Sequence, residues 1–466
     1  MSAPAAGYVV AIDNGSQSTK VLIVDGDGTV HASARVALRP YSSPAPGRWE
    51  HPDDDLWDSI VAATRAAMAD FAGDPAEIRG IGLCTIRFCR AVLRADGSLA
   101  QPVMSWMDER LPRAYERESD DAVYVTTSSG YLGHRLTGAR KDAAGNVQGT
   151  WPIDTARWTW STDAAEYART GMDPGMLFEL VAPGEPLGAL SAEVAALLGL
   201  PAGIPVIATS NDKAVEALGA GLRGEGEGLL SLGTYVATMT PGDRPLRPHP
   251  DVWTNFSSEP GGYLYESSGV RRGMWTVSWF RDLVSGAAGG VSEDELNRGA
   301  EDVPVGAGGL VAALDWLAPT DEPWRRGALV GFDGTQGRFH VYRAILEALA
   351  LETEAGDARA RRVLGRERRS LVVTGGGSGS TLMLRILAAV YDVPVHTPQV
   401  HDAAGMGAAI CAAVGTGIHA SWEDAVDAMV RIGVEVQPDP ALVSAYAAVR
   451  ETYERVIPRV RTLFKD

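Results

Sequence analysis

The start of the chain restricts its fold more than any other segment. An apolar run, Tyr8 to Ile12, ends in Asp13; the polar stretch Asn14-Gly-Ser-Gln-Ser-Thr-Lys20 follows, and a second apolar run, Val21-Leu-Ile-Val24, leads to the turn Asp25-Gly-Asp-Gly28. Two short strands around a tight loop give this pattern, and the acid that ends the first strand is set beside the loop. A comparable unit recurs where Gly228-Leu-Leu-Ser-Leu232 leads through Gly233-Thr234 into Tyr235-Val-Ala-Thr-Met239. Two β-hairpins with small polar tips, one in each half, predict an internally duplicated architecture.

Between and after them, helical and strand-like stretches alternate. Asp54 to Met68 has helical periodicity with acids in its first turn, and Ile78 to Leu83 reads as a short buried strand. Val341 to Arg362 is a long helix candidate, followed by the strand Ser370–Thr374, the loop Gly375-Gly-Gly-Ser-Gly-Ser380 and the helix Leu382 to Val390. Ala403 to Val414 gives a small-residue helix that Gly415 would cap. This alternation predicts an α/β chain. The 466 residues suit two or three domains. A boundary near 230 gives domains 1–230 and 231–466. Glu116 to Asp121 reads as a solvated surface segment.

Charge and cysteine content remove several function classes. The 42 basic and 59 acidic residues leave −17, which argues against a nucleic-acid or anionic-membrane partner. No run approaches the length of a membrane span, and the N-terminus has no basic start followed by an apolar core, so a soluble cytoplasmic protein is expected. Cys84, Cys89 and Cys411 form neither a disulfide framework nor a CxxC pair and read as core. Lysine occurs only at positions 20, 141, 213 and 465.

Three segments carry chemistry. In the first hairpin, Asp13 stands where it can hold a hydrated divalent metal, while loop amides and small hydroxyl residues can approach phosphate oxygens. That pairing suits ATP with magnesium; an ordinary hairpin turn is the alternative. Lys20 either neutralises phosphate charge or faces solvent beyond the loop. The Gly375–Ser380 loop joins a strand to a helix, a geometry that attracts anions. It lacks the GxGxxG spacing, and no Walker loop occurs anywhere; a tight crossover without ligand is its alternative. In Ala208-Thr-Ser-Asn-Asp212-Lys213, an apolar strand runs into an aspartate that opens a helix. Asp212 is either a helix cap or a general base for a substrate hydroxyl.

Taken in order, these segments resemble the FGGY carbohydrate kinases. The resemblance spans about residues 7 to 430 and rests on Asp13 to Lys20, Pro46-Gly-Arg-Trp49-Glu50, Trp106-Met-Asp108-Glu-Arg110, Leu136-Thr-Gly138, Asn211-Asp212 with Gly219-Ala-Gly221, Leu232-Gly-Thr234, Gly375 to Ser380, Ala404-Gly-Met-Gly-Ala-Ala409 and Ala412-Ala-Val-Gly415. It implies two actin-like, ribonuclease-H-like domains with ATP in the cleft between them and the sugar mostly on the first. By the same resemblance, Asp13 assists the metal, and Gly15, Ser16, Gln17 and Ser18 line the phosphate path. Gly233 and Thr234 approach the phosphates, Gly376, Gly377 and Ser378 border the nucleotide, and Asp212 is the catalytic base.

The departures bear on substrate. Lys213 follows Asp212 where the family usually has Asn, Gln, Thr or Ala, and would weaken the base or meet an anionic group. Arg87 resembles the arginine of glycerol and autoinducer kinases, with Phe88 in place of an acid. The stretch from Arg110 to Leu136 is short, and Gly379 replaces a frequent lysine. Trp106 and Asp108 would contact substrate beside Arg110, and Asn146, Gln148 and Asp154 fall in a loosely matching polar loop. The expected function is ATP- and magnesium-dependent phosphorylation of a small sugar, polyol or sugar acid, Arg87 and Lys213 together recognising a carboxylate in the last case. A catalytically weak nucleotide- or sugar-binding scaffold is the alternative. A homodimer is one assembly open to such a chain.

Overall fold

The computed structural model describes residues 7–285, 290–319 and 321–465. Its first half is built on a six-stranded sheet. In chain order the strands are β1 (Tyr8–Asn14), β2 (Ser18–Asp25), β3 (Val30–Ala37), β4 (Ile78–Thr85), β5 (Pro186–Ala189) and β6 (Pro205–Asn211), arranged β5-β6-β4-β1-β2-β3. The second half carries a seven-stranded sheet of β7 (Glu227–Ser231), β8 (Thr238–Gly242), β9 (Val252–Phe256), β10 (Tyr263–Ser267), β11 (Ser370–Thr374), β12 (Val395–Pro398) and β13 (Ile432–Val436), arranged β9-β10-β8-β7-β11-β12-β13.

The predicted duplication is present in the pairing itself. β1, β2 and β3 form an antiparallel meander and β1 then pairs in parallel with β4, which pairs in parallel with β6. β7, β8 and β10 repeat the meander, and β7, β11 and β12 repeat the parallel run. The second hairpin differs in register from its expectation: Leu229 faces Met239, so β8 starts at Thr238 and Tyr235 is left exposed in the loop. Val236 bonds instead to Val270, its amide and carbonyl both engaged.

Helices cover the sheets. On one face of the first lie α1 (Asp55–Asp70) and α2 (Ser128–Thr137), whose Leu56, Ile60, Leu132 and Leu136 join Ile12, Ile23 and Leu83 in one core. The helix α3 (Asp212–Gly219) follows β6. The second half contributes α4 (Gly273–Ser285), α5 (Arg338–Leu364), α6 (Thr381–Tyr391), α7 (Ala403–Gly415) and α8 (Pro440–Arg461). Long α5 is buried along most of its length, in the core that holds Leu371, Val373 and Leu387.

Helix α7 does not stay with the half of the chain that contains it. Met406, Ala409 and Ile410 pack with Val9, Ala11, Leu22 and Val215 against the first sheet. Glycine makes the close crossing with α3 feasible. A Cβ on Gly219 would lie 1.9 Å from the Ala403 carbonyl oxygen, and one on Gly407 would lie 1.9 Å from that of Val215. The small residues of Ala404–Ala409 are therefore there to bring two helix backbones together. Gly415 lies in the last turn, and the helix ends on Thr416 rather than on a Gly415 cap. The three cysteines are free and buried. Among the described residues, no helix is long and apolar enough to cross a membrane.

Candidate active site

Three strand-to-helix turns place the polar groups. Asn211 ends β6 and its side chain accepts from the Ala214 amide at 3.2 Å, so the helix cap is Asn211 and Asp212 is freed to present its carboxylate in the first turn of α3. Ser380 caps α6 through the Met383 amide at 3.2 Å, and Asp402 caps α7 through Gly405 at 3.1 Å. Each cap fixes a loop at the C-terminal end of a parallel strand, where ligands of open α/β sheets gather.

Asp212 Oδ1 is buried and has no hydrogen-bond partner among the described residues. Its nearest cation is the Arg87 Nε, 3.9 Å away. Burial pushes the Asp212 carboxyl above its usual range; Arg87 and Lys213 oppose this, and Glu216 and Glu266 add to it. A buried acceptor without a donor is costly, and an arriving hydroxyl is one way to satisfy it.

Asp13 lies across the hairpin from Lys20, in register. Burial raises its carboxyl to about 7 against the pull of Lys20, and the charges of Asp402 and Asp212 add to the rise. Lys20 is neither free nor beyond the site: its Nζ lies 3.4 Å from Asp13 Oδ2 and 3.2 Å from Asp402 Oδ1. Asp402 is a member of the cluster that the sequence reading missed. Ser16 and Gln17 are exposed at the tip of the loop, while Ser18 is buried and accepts from Arg35 Nε at 3.0 Å. Among the described residues no three His, Cys, Asp or Glu side chains gather as a metal site. A magnesium ion carried on nucleotide phosphates keeps most of its waters and needs only one or two carboxylates, which the single carboxylate of Asp13 fits.

The loops of the second half meet. A Cβ on Gly375, which has φ of 81°, would lie 2.5 Å from the Leu232 carbonyl oxygen, and one on Gly377 would press on Leu232 and Met274. Gly233 and Thr234 accept from the Met274 and Gly273 amides at 3.1 and 2.7 Å, which sets the N-terminus of α4 beside them. Gly376 is exposed, Gly377 and Ser378 are buried, and Ser378 Oγ donates to the Gly375 carbonyl at 2.7 Å. Among the described residues nothing lies within 4 Å of where a Cβ on Gly379 would stand, which leaves that side of the loop open.

Two expected substrate residues are engaged otherwise. Lys213 donates to Glu216 Oε2 and Ser231 Oγ, both at 2.8 Å, and Glu216 Oε1 accepts from Ser231 at 2.7 Å and Thr374 at 2.6 Å. Burial works against both charges of this pair; their mutual attraction prevails, holding the ammonium above and the carboxyl below their ordinary values. The lysine thus ties α3 to β7 and β11. Asp108 is fully committed as well: it accepts from the Trp49 amide at 2.8 Å and from the Arg110 amide and guanidinium at 2.7–2.9 Å. It braces the segment that leaves Trp106 and Trp49 exposed. Asp154 lies outside the cluster, accepting from the amides of Ala156 and Arg157.

Arg87 meets a partner that the sequence reading did not anticipate. Its Nη1 and Nη2 lie 2.5 and 3.2 Å from the two oxygens of Glu266, a residue of β10. Trp253 and Phe88 each place a ring 5.2 Å from the guanidinium. Phe88 has φ of 65°, a left-handed conformation that costs a bulky residue about 1–2 kcal/mol. Asn255 donates to Glu266 at 3.0 Å and exchanges hydrogen bonds with Asn211 at 2.9 and 3.0 Å. Gln148 also bonds to Asn255, whereas Asn146 is held by Thr85, Thr127 and Ser129. The only advance signal for Glu266 is a single acid inside the otherwise apolar and polar-neutral run Tyr263–Ser267.

Comparison with known proteins agrees with this arrangement. The chain matches the model of the FGGY family of carbohydrate kinases, N-terminal domain, at residues 8–122 and 103–219, and that of the C-terminal domain at 228–416. It is 43% identical to the uncharacterized sugar kinase YgcE of Escherichia coli K12, over 91% of this chain and 88% of that one. A glycerol kinase of Gloeobacter violaceus is 30% identical over 91% and 92%. The crystal structure of xylulose kinase from Rhodospirillum rubrum superposes with a TM-score of 0.84 at 26% identity, covering 98% and 100%. The fold is thus the actin-like fold of these kinases. Both domain models match in order, and the protein belongs to the FGGY family of carbohydrate kinases.

Proposed function

We propose that the protein transfers the γ-phosphoryl group of ATP to a hydroxyl of a small neutral sugar or polyol, with Asp212 as the base. The observation that carries this reading is the unpartnered, buried Asp212 Oδ1 at the mouth of β6. Asp212 accepts the hydroxyl proton as the substrate oxygen bonds to the γ-phosphorus and the bond to the ADP oxygen breaks. The amides of Ser16, Gln17, Gly233, Thr234 and Gly376 hold the phosphates, those of Gly15, Gly377 and Ser378 being engaged by the Ser18, Leu232 and Gly375 carbonyls. When bound, magnesium neutralises phosphoryl charge, and Asp13 is the residue to hold it through water. The division at residue 230 is part of this proposal, with α7 returning to the first half.

A neutral substrate is favoured by how the two candidate cations are used. Arg87 is paired with Glu266 and Lys213 with Glu216, so neither offers a free charge to a sugar carboxylate. Of the two departures that favour the scaffold alternative, Lys213 is bonded away from the Asp212 carboxylate, while Gly379 still lacks the side chain that would add a nucleotide contact. An ADP-release screen over ketoses, aldoses, polyols and aldonic acids tests the reading. Turnover is expected with neutral compounds only, and Glu266→Gln should improve kcat/KM for aldonic acids by about tenfold by exposing the Arg87 charge. Turnover of an aldonic acid by the native enzyme equal to that of its neutral counterpart would overturn the neutral assignment.

The buried Asp13 predicts a pH dependence. Its carboxyl is raised to about 7, so the ionised form that can hold a cation is lost as pH falls through that value. The kcat/KM for magnesium-ATP should therefore drop on the acid side with a midpoint near 7, roughly tenfold per pH unit below it. A profile that stays flat through the mildly acid range removes Asp13 from this role.

A further inference from the structure

Strands β9 and β10 turn three side chains of the second half toward the first. Trp253 pairs with Glu266 and Asn255 with Leu264, and partners across a ladder share a face, as do residues two apart. Trp253, Asn255 and Glu266 therefore lie on one face, and β9 is the edge strand of its sheet. Trp253 and Glu266 hold the Arg87 guanidinium.

Asn255 makes the other contacts of this face. Its Nδ2 donates to Asn211 Oδ1 and to Glu266 Oε1, both at 3.0 Å. Its Oδ1 accepts from Asn211 Nδ2 at 2.9 Å and from Gln148 Nε2. A carboxamide offers two donors and two acceptor positions, so Asn255, which is buried, has none left for a ligand. Neither carboxamide can turn round. Reversing Asn255 would set its oxygen against the Glu266 carboxylate, and reversing Asn211 would set its nitrogen against the Ala214 amide and its oxygen against the Gly145 carbonyl.

Both groups that Asn255 grips adjoin Asp212. Asn211 precedes Asp212 and caps α3, which fixes the turn from which the Asp212 carboxylate projects. Glu266 holds Arg87, whose Nε lies 3.9 Å from Asp212 Oδ1. We propose that Asn255 is a positioning residue, which orients Asp212 through the Asn211 cap and the Glu266–Arg87 pair. The inference rests on the reading of Asp212 as the base. Its consequence is that a residue of the second half aligns a base carried by the first, so proton acceptance is tied to contact between the two.

The test is steady-state ADP release by Asn255→Leu, made in the native chain and in the Asp212→Asn background. In the native chain kcat should fall between about tenfold and a hundredfold, the effect of moving a reacting group by about an ångström, while KM for ATP stays within about threefold. Added to Asp212→Asn, the same change should cost less than about twofold, because a residue that acts through the base then has nothing to align. Tyr263→Phe is the control for a loss of contact between the same segments: it removes the bond to the Thr155 carbonyl at 2.8 Å and the one from Trp158 Nε1 at 3.3 Å. Its kcat should stay within about twofold of native. Thermal melting checks folding, and Asn255→Ser, which leaves room for a water, takes over with the same expected split if the leucine variant does not fold. An unchanged kcat, a loss by the same factor in both backgrounds, or one that Tyr263→Phe matches overturns the positioning role. Near-native turnover by Asp212→Asn alone overturns the base instead.

Discussion

Asp212→Asn is expected to lower kcat for sugar phosphorylation by about 10³-fold, the middle of the range for a positioned general base. The amide keeps the shape of the carboxyl and cannot accept the proton. ADP release with the true substrate measures the loss, and KM for ATP should stay within about threefold, because Asp212 acts on the acceptor and not on the nucleotide. Stability should move the other way. Burial raises the Asp212 carboxyl, so the ionised form is less favourable in the native state than in the unfolded one. The resulting penalty grows as pH rises above the unfolded value and is present at neutral pH. The amide removes it, and the variant should melt no lower than the native protein. Near-native turnover would remove Asp212 from the mechanism, and a large fall in melting temperature would mark it as structural.

Lys213→Met should act in the opposite manner, through the fold. It leaves Glu216 buried beside two hydroxyls with no cation, and breaking a buried pair of this kind costs about 3 kcal/mol or more. The cost falls where α3 meets β7 and β11, so both halves are affected. Urea unfolding measures it. Adding Glu216→Gln should recover part of the loss, since the residual charge is then removed. KM for the neutral substrate should stay within about threefold, because the lysine is bonded to Glu216 and Ser231 and not to the acceptor. A large rise in KM for the sugar, with stability unchanged, would return Lys213 to the substrate site.

These outcomes separate residues that look alike in the sequence. Asp108 and Asp212 both sit in polar motifs, yet one is consumed by Arg110 and the Trp49 amide and the other has an oxygen with no partner. Lys213 offered one legible clue, because Glu216 stands three residues on, at the spacing of neighbours on a helix face. The local elements were readable for a related reason. β1, β2, β11, α6 and α7 announce themselves through apolar periodicity and through turn and capping residues whose chemistry acts over a few positions. The register of β7 and β8 was not, since Val236 is claimed by Val270, which lies far along the chain.

The sequence by itself determined the α/β alternation, the duplicated hairpins, the glycine loops and the order of motifs by which the chain resembles its family. The tertiary structure alone decided the charge partners. Arg87 and Glu266 are 179 positions apart, and Lys20 and Asp402 are 382 apart. Strand and turn chemistry is short-ranged and is written in neighbouring residues, whereas a buried charge takes whichever opposite charge the packing of two sheets brings within a few ångströms.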